Sequence, residues 1–127
     1  MAKYSLGVRR DFVARHYLVG GDFGAEGELH SHRYLAEIVL EGDELDGHGF
    51  LVDIVRIERA LEKRVERYRD RTLNDLPELA GQNPGIEVLA RVTAEALSRE
   101  IPWNGIEALT VKIWESDEAW ASYRIET

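Results

Sequence analysis

Apolar and polar residues alternate with period two along residues 4–18, and again along residues 29–42. In the first stretch Tyr4, Leu6, Val8, Phe12, Ala14, His16 and Leu18 share one parity, while Lys3, Ser5, Arg9, Asp11 and Arg15 hold the other. In the second, Tyr34, Ala36, Ile38 and Leu40 oppose Arg33, Glu37 and Glu41. Successive side chains of a strand point to opposite faces, so this pattern predicts two antiparallel strands, each with one buried face. The turn-rich stretch from Gly20 to Glu28 joins them. A loop of that length inside a compact domain is often functional.

The rest of the chain has to cover the apolar face of that hairpin. Residues 43–49 read as a turn, and Asp53 as the N-cap of a helix whose stripe is Ile54, Ile57, Leu61, Val65 and Tyr68. Asn83-Pro84 has the form of a second helix start, Asn at the N-cap and Pro in the first turn, followed by Ile86, Leu89, Val92 and Leu97 and stopped by Pro102. Two further alternating stretches, Leu109 to Glu115 and Ala119 to Glu126, close the sequence. The expected order is ββααββ, an α+β fold with a four-stranded antiparallel sheet and two helices on one face. With no repeat, linker or low-complexity tract, residues 1–127 read as a single domain.

Composition removes several functions. There is no cysteine, which excludes disulfides, thiolate metal sites and a cysteine nucleophile. The 24 Asp and Glu against 16 Lys and Arg leave a net charge of −8, so neither nucleic acid nor an anionic membrane is an expected partner. No apolar run approaches a membrane span and the first residues lack the core of a signal peptide, so the expected location is the cytoplasm.

Two constellations carry chemistry. His30-Ser31-His32 puts two imidazoles on one face of a strand, and His16 is in phase with the apolar set of the strand before it. Paired as a hairpin, the strands bring all three to one end, and three histidines with a free fourth position form the ligand set of a catalytic zinc site. The alternative is three imidazoles satisfied by their neighbours. His48, in a glycine-flanked turn, lies outside this set. Glu115 continues the buried parity of Leu109, Val111 and Ile113. A carboxylate there needs a partner. The partner is either a cationic side chain or a ligand with paired N–H donors, unless the strand simply frays.

The ordered set Phe12-x-Ala14-x-His16, His30-x-His32-x-Tyr34, Gly49-Phe50-Leu51-Val52-Asp53, Leu73-Asn74, Asn83-Pro84-x-x-Glu87 and Glu115-Ser116 resembles the 6-pyruvoyltetrahydropterin synthase / 6-carboxytetrahydropterin synthase family over nearly the whole chain. The resemblance implies the ββααββ tunnelling fold (T-fold), and a homo-oligomer, trimers paired into hexamers, with active sites between subunits. It implies zinc on His16, His30 and His32, and Glu115 as the anchor for the 2-amino and N3 hydrogens of a small-molecule pterin. The implied activity is that of a lyase on a reduced pterin such as 7,8-dihydroneopterin triphosphate.

The sequence also departs from the family pattern. The usual base is a cysteine in the loop before His-x-His; here the loop holds Glu26 and Glu28. A subgroup of the family carries glutamate there and forms 6-hydroxymethyl-dihydropterin, which makes Glu26 the candidate base. The family's Asp-His pair before Leu-Asn falls on Arg69 and Asp70, so only the acid is kept, flanked by Arg69 and Arg71. The threonine after Asn-Pro is Gly85. Two other functions are therefore weighed: a catalytically impaired zinc-containing protein that binds a pterin or purine, and an oligomeric scaffold without ligand.

Overall fold

Each of the four alternating stretches is a strand in the computed structural model, which describes residues 2–127. The order is β1 (Tyr4–His16), β2 (His30–Gly42), α1 (Ile54–Glu66), α2 (Ile86–Ser98), β3 (Ala108–Trp114) and β4 (Trp120–Glu126), with short 3-10 turns at Gly24–Gly27, Leu73–Asp75 and Pro77–Leu79. The strands form one antiparallel sheet in the order β1-β2-β3-β4. This is the ββααββ α+β architecture expected from the alternation.

The register places the functional end. β1 and β2 pair from Tyr4 opposite Gly42 to His16 opposite His30. β3 reaches only Leu35, which faces Trp114. Residues 30–34 of β2 therefore run on past β3 with β1 alone beside them. Both hairpin connections, 17–29 and 115–119, lie at this end of the sheet.

One face is the core. Phe12, Ala14, Tyr34, Ala36, Ile38, Leu40, Leu109, Val111 and Ile113 are buried beneath Ile57, Leu61 and Val65 of α1 and Leu89, Ala90, Ala94 and Leu97 of α2. Each large aliphatic or aromatic side chain so covered contributes roughly 1.5–3 kcal/mol relative to exposure. The other face carries no helix. There Lys112 Nζ sits 4.2 Å from the ring centre of Trp120 and 5.7 Å from that of Trp114. Gly42 is required where β2 leaves the sheet, because a Cβ would collide with the carbonyl of Gly105.

Several boundaries differ from the sequence expectation. Asp53 does cap α1, its carboxylate accepting from the Val55 N–H at 3.0 Å, but Ile54 faces solvent rather than the core. β1 ends at His16, not Leu18, and α2 starts at Ile86 behind Gly85, not at Asn83. The backbone of Tyr17, just past β1, is engaged by the side-chain amide of Asn74 rather than by a strand, and the Asn83 amide is engaged with the backbone of Val19 and is not free to cap a helix. Beside β1, Asp70 N donates to Val13 O at 2.7 Å and Arg15 N to Arg71 O at 2.8 Å, so residues 70–72 cover that stretch of the sheet edge. Asp70 takes a left-handed φ of 58° to do so, a conformation aspartate tolerates better than most residues. Among the described residues no helix is long and apolar enough to cross a membrane.

Candidate metal centre and ligand cleft

The hairpin register builds the centre. His16 and His30 face each other across the last rung of β1 and β2, and His32 lies one inward position along, opposite Ala14, whose methyl leaves room for its ring. The ring centroids form a triangle: His16 to His30 4.5 Å, His16 to His32 5.0 Å, His30 to His32 4.9 Å. The three histidines singled out in the sequence are brought together.

Hydrogen bonds fix two of the tautomers. His16 Nδ1–H donates to the carbonyl of Pro84 at 2.8 Å, and His30 Nδ1–H to that of Glu28 at 2.7 Å. In a neutral ring this leaves Nε2 as a bare acceptor. His16 Nε2 is buried and has no hydrogen-bond partner. Burial, opposed by the Pro84 contact and assisted by the neighbouring imidazoles, holds His16 below the ordinary histidine pKa. The ring is thus kept in the neutral form a metal ligand needs. His30 Nε2 and His32 Nε2 lie 3.1 Å apart. Ligand nitrogens on a tetrahedral ion at about 2.0–2.1 Å stand roughly 3.3 Å from one another. An orphaned buried nitrogen and imidazole nitrogens at that spacing fit a metal ion.

Glu26 completes the group. It lies in the 3-10 turn Gly24–Gly27, with its carboxylate 2.8 Å from His30 Nε2. One donor atom from each of His16, Glu26, His30 and His32 falls within 4.8 Å of all the others, an arrangement that could hold a metal. Glu28, the other glutamate of the loop, contributes only its backbone carbonyl. Asp70 does not join: it is exposed on the edge of β1, with its main chain engaged by Val13 and Arg15.

Tyr34 forms the floor. It is fully buried, stacked on Phe12 at 5.2 Å, and its hydroxyl lies 3.4 Å from His16 Nδ1. Burial raises its pKa first, and the negative charges of Glu115 and Glu26 raise it further. The two carboxylates therefore act on one phenol from two different loops. Glu115 stands one residue beyond β3 and is half-buried, less enclosed than the alternation implies, because β3 has already left the ladder at Trp114. None of the ion pairs among the described residues involves it. It lines a cleft of about 620 Å³ together with Tyr34, Trp114, Arg9 and Arg33.

The two Asn motifs have roles that sequence reasoning missed. Asn74 Oδ1 accepts from Tyr17 N at 3.1 Å and its Nδ2 donates to Tyr17 O at 2.9 Å. Asn83 does the same for Val19, at 2.7 and 3.0 Å. Each amide thus replaces a neighbouring strand. Between them Leu18 N donates to the carbonyl of Glu26 at 2.9 Å, tying the acid's own backbone to the continuation of β1. A side-chain amide with one donor and one acceptor is the signal for such a clamp, but its target is remote in sequence.

A family model described as 6-pyruvoyl tetrahydropterin synthase matches residues 5–126. The 6-carboxy-5,6,7,8-tetrahydropterin synthase of Bacillus subtilis is 34% identical over 95 residues, covering 69% of this chain and 62% of that enzyme, so the match spans less than two thirds of its length. The dihydroneopterin monophosphate aldolase of Pyrococcus furiosus is 25% identical over 91 residues, 72% of this chain and 74% of that one. Among solved structures, Plasmodium vivax 6-pyruvoyltetrahydropterin synthase, in a form with a catalytic glutamate replaced by cysteine, shares the fold with a TM-score of 0.83 at 14% identity, covering 98% of both chains.

Proposed function

The chain belongs to the 6-pyruvoyl tetrahydropterin synthase family, and from that membership we propose that it is a zinc-dependent enzyme, a carbon–oxygen lyase or related aldolase-type activity, acting on a reduced pterin such as 7,8-dihydroneopterin triphosphate. Pterin metabolism is common to the family and to the named relatives. The observation that carries the zinc reading is the buried, unpartnered Nε2 of His16 beside the converging nitrogens of His30 and His32.

When bound there, zinc supplies Lewis-acid polarisation of a substrate oxygen. The remaining work belongs to the chain. His16, His30 and His32 hold the ion, with Pro84 and Glu28 carbonyls setting the orientation of two of the rings. Glu115, free of any cationic partner, accepts from the adjacent ring N–H and exocyclic amine of the pterin and orients it. Glu26 takes the proton, since its carboxylate already lies among the imidazoles. Plasmodium vivax 6-pyruvoyltetrahydropterin synthase has a glutamate as a catalytic residue, which supports a carboxylate in that role. Asp70 has no such position within one subunit.

A second reading is a pterin- or purine-binding homologue with impaired catalysis, favoured by the lack of cysteine and by the missing relay histidine, since Arg69 and Asp70 hold the positions of the family's Asp-His pair. Acid–base groups typically contribute about 10²–10⁴-fold, so 6-pyruvoyl product formation is expected to be slow. Single-turnover product analysis with 7,8-dihydroneopterin triphosphate separates the two. Conversion by the wild type that is lost in Glu26→Gln supports the enzyme; tight pterin binding with no product moves the chain to the second reading.

The same reading includes a homo-oligomer, trimers paired into hexamers, built through the two sheet edges. β4 is one edge, and β1 is the other over the stretch that residues 70–72 leave uncovered. Light scattering at micromolar concentration tests it, and a monomer would remove any site shared between subunits.

A further inference from the structure

We propose that in the ligand-free protein Glu26 is itself the fourth ligand of the metal, and that substrate gains the metal only by displacing it. This rests on the reading of the three histidines as a metal centre, and it changes what the fourth position is: a closed site that opens, rather than one held open for water.

The geometry separates a ligand from a base that never touches the ion. A base acting on a metal-bound oxygen stands a further hydrogen bond, about 2.6–3.2 Å, beyond that oxygen. Its carboxylate is then kept away from the imidazole nitrogens that face the ion. Glu26 is instead 2.8 Å from His30 Nε2, the nitrogen whose tautomer is set to face the metal, with His32 Nε2 3.1 Å from that same nitrogen. These are close to the edges of a tetrahedron of donors, for which about 3.3 Å is expected. His16 Nε2 supplies the last corner, buried and otherwise without a partner.

The surrounding chain lets the carboxylate leave without moving the backbone. The Glu26 carbonyl is bonded to Leu18 N, and Leu18 is held on either side by the clamps at Tyr17 and Val19. The side chain itself is 53% exposed, so rotation about its own torsions carries it into water. A carboxylate on the ion lowers the net charge of the centre from +2 to +1 and weakens its pull on any further ligand. Displaced by a substrate oxygen, the same carboxylate is left beside the atom it has to deprotonate. Ligand exchange and the arming of the base become one event.

The test uses metal affinity and a spectrum rather than turnover. Zinc affinity is measured by chelator competition for wild type, Glu26→Ala, the isosteric Glu26→Gln and Glu28→Ala. The cobalt-substituted proteins are titrated with acetohydroxamate and followed by their visible d–d absorption. Glu26→Ala and Glu26→Gln are expected to lose at least about tenfold in zinc affinity. Their cobalt forms are expected to bind acetohydroxamate at least tenfold more tightly than wild type does, with Glu28→Ala unchanged in both measurements. Zinc affinity and cobalt spectra unchanged in both folded Glu26 variants would overturn the proposal; if their turnover were lost all the same, Glu26 as base would survive without it. A wild type that takes up no metal would overturn it together with the zinc reading. Intact ligand behaviour in a wild type that makes no product would leave it standing and remove the catalytic reading alone.

Discussion

The two hairpin connections stand at the same end of the sheet, and each supplies one acid to the site, yet they are built by different means. The β3–β4 connection is short and closed by its own backbone: Glu115 N donates to Ala119 O at 3.1 Å, and Ser116 Oγ accepts from Glu118 N at 3.2 Å. The β1–β2 connection is long and is held from outside by Asn74 and Asn83, which belong to the segment between the helices. A short turn fixes the direction of an acid that has only to receive a flat ring. A long loop clamped at its base fixes the backbone of Glu26 and leaves its side chain free. The difference suits an anchor on one side and a mobile acid on the other.

The largest effect expected is on the metal. Wild type should hold one zinc per subunit, and His30→Ala with His32→Ala should hold essentially none by elemental analysis of the purified protein. Equal zinc in the two would mean that the long-loop side has no metal function and would end the contrast. Next comes the anchor. Glu115→Gln places an amide donor opposite a donor of the ring, and leaving polar partners unsatisfied costs roughly 1–3 kcal/mol. Pterin affinity measured by calorimetry with biopterin or sepiapterin should fall at least about tenfold, with zinc content unchanged. Equal binding would make Glu115 a structural carboxylate.

The clamps should show in stability rather than affinity. Asn74→Ala removes both bonds to the partly buried backbone of Tyr17, and about 1–3 kcal/mol is expected. Asn83→Ala acts on exposed groups of Val19 that water can satisfy, so its cost should be smaller, about 0.5–1 kcal/mol. Amide hydrogen exchange should rise at residues 17–19 in both variants and stay unchanged at residues 115–119. Equal acceleration in the two connections would show that they are not held independently.

Much of this was legible in the sequence, and what was missed has a physical pattern. Period-two alternation identifies the strands and places His16, His30 and His32 on one face, because strand geometry converts spacing directly into direction. The approach of Glu26 to His30 depends on the path of an irregular loop, which no periodicity encodes; only the resemblance to the family pointed to that acid. Asn83 carries the local signature of a helix cap, but a remote partner, the backbone of Val19, takes its amide. Glu115 follows the buried parity, yet parity holds only while a strand stays in the ladder, and β3 ends one residue earlier. Local rules succeed where the backbone is regular and fail where side chains bond across sequence distance.

A further effect, set by pH, concerns what holds the clamps themselves. The segment from Asn74 to Asn83 is fastened to the end of α1 through Glu78, whose carboxylate accepts from Arg67 at 2.8 and 2.9 Å and from Arg64 at 2.6 Å. Gln82, next to Asn83, donates to the Glu78 carbonyl at 3.3 Å. The Arg67 hydrogen bonds, helped by a backbone hydrogen bond and the charges of both arginines, pull the Glu78 pKa down to about 2 against the opposing effect of burial. A depressed pKa means that stabilisation is present above the unfolded-state value, about 4.3, and is lost as pH falls through the folded-state value. Arg67 is largely in water, so screening reduces the contribution to about 1–2 kcal/mol. The stability difference between wild type and Glu78→Gln, measured by denaturant unfolding, should be constant above pH 5 and shrink between about pH 4 and 2. Taking the difference cancels the titration of the histidines, which both proteins share. Protection factors at residues 17–19, with the intrinsic pH dependence of amide exchange divided out, should fall over the same range in wild type, while those at residues 115–119, which touch no part of this fastening, should follow global stability alone. A difference that stays flat down to pH 2 would show that Glu78 does not brace the long loop, and the two connections would then differ only in length.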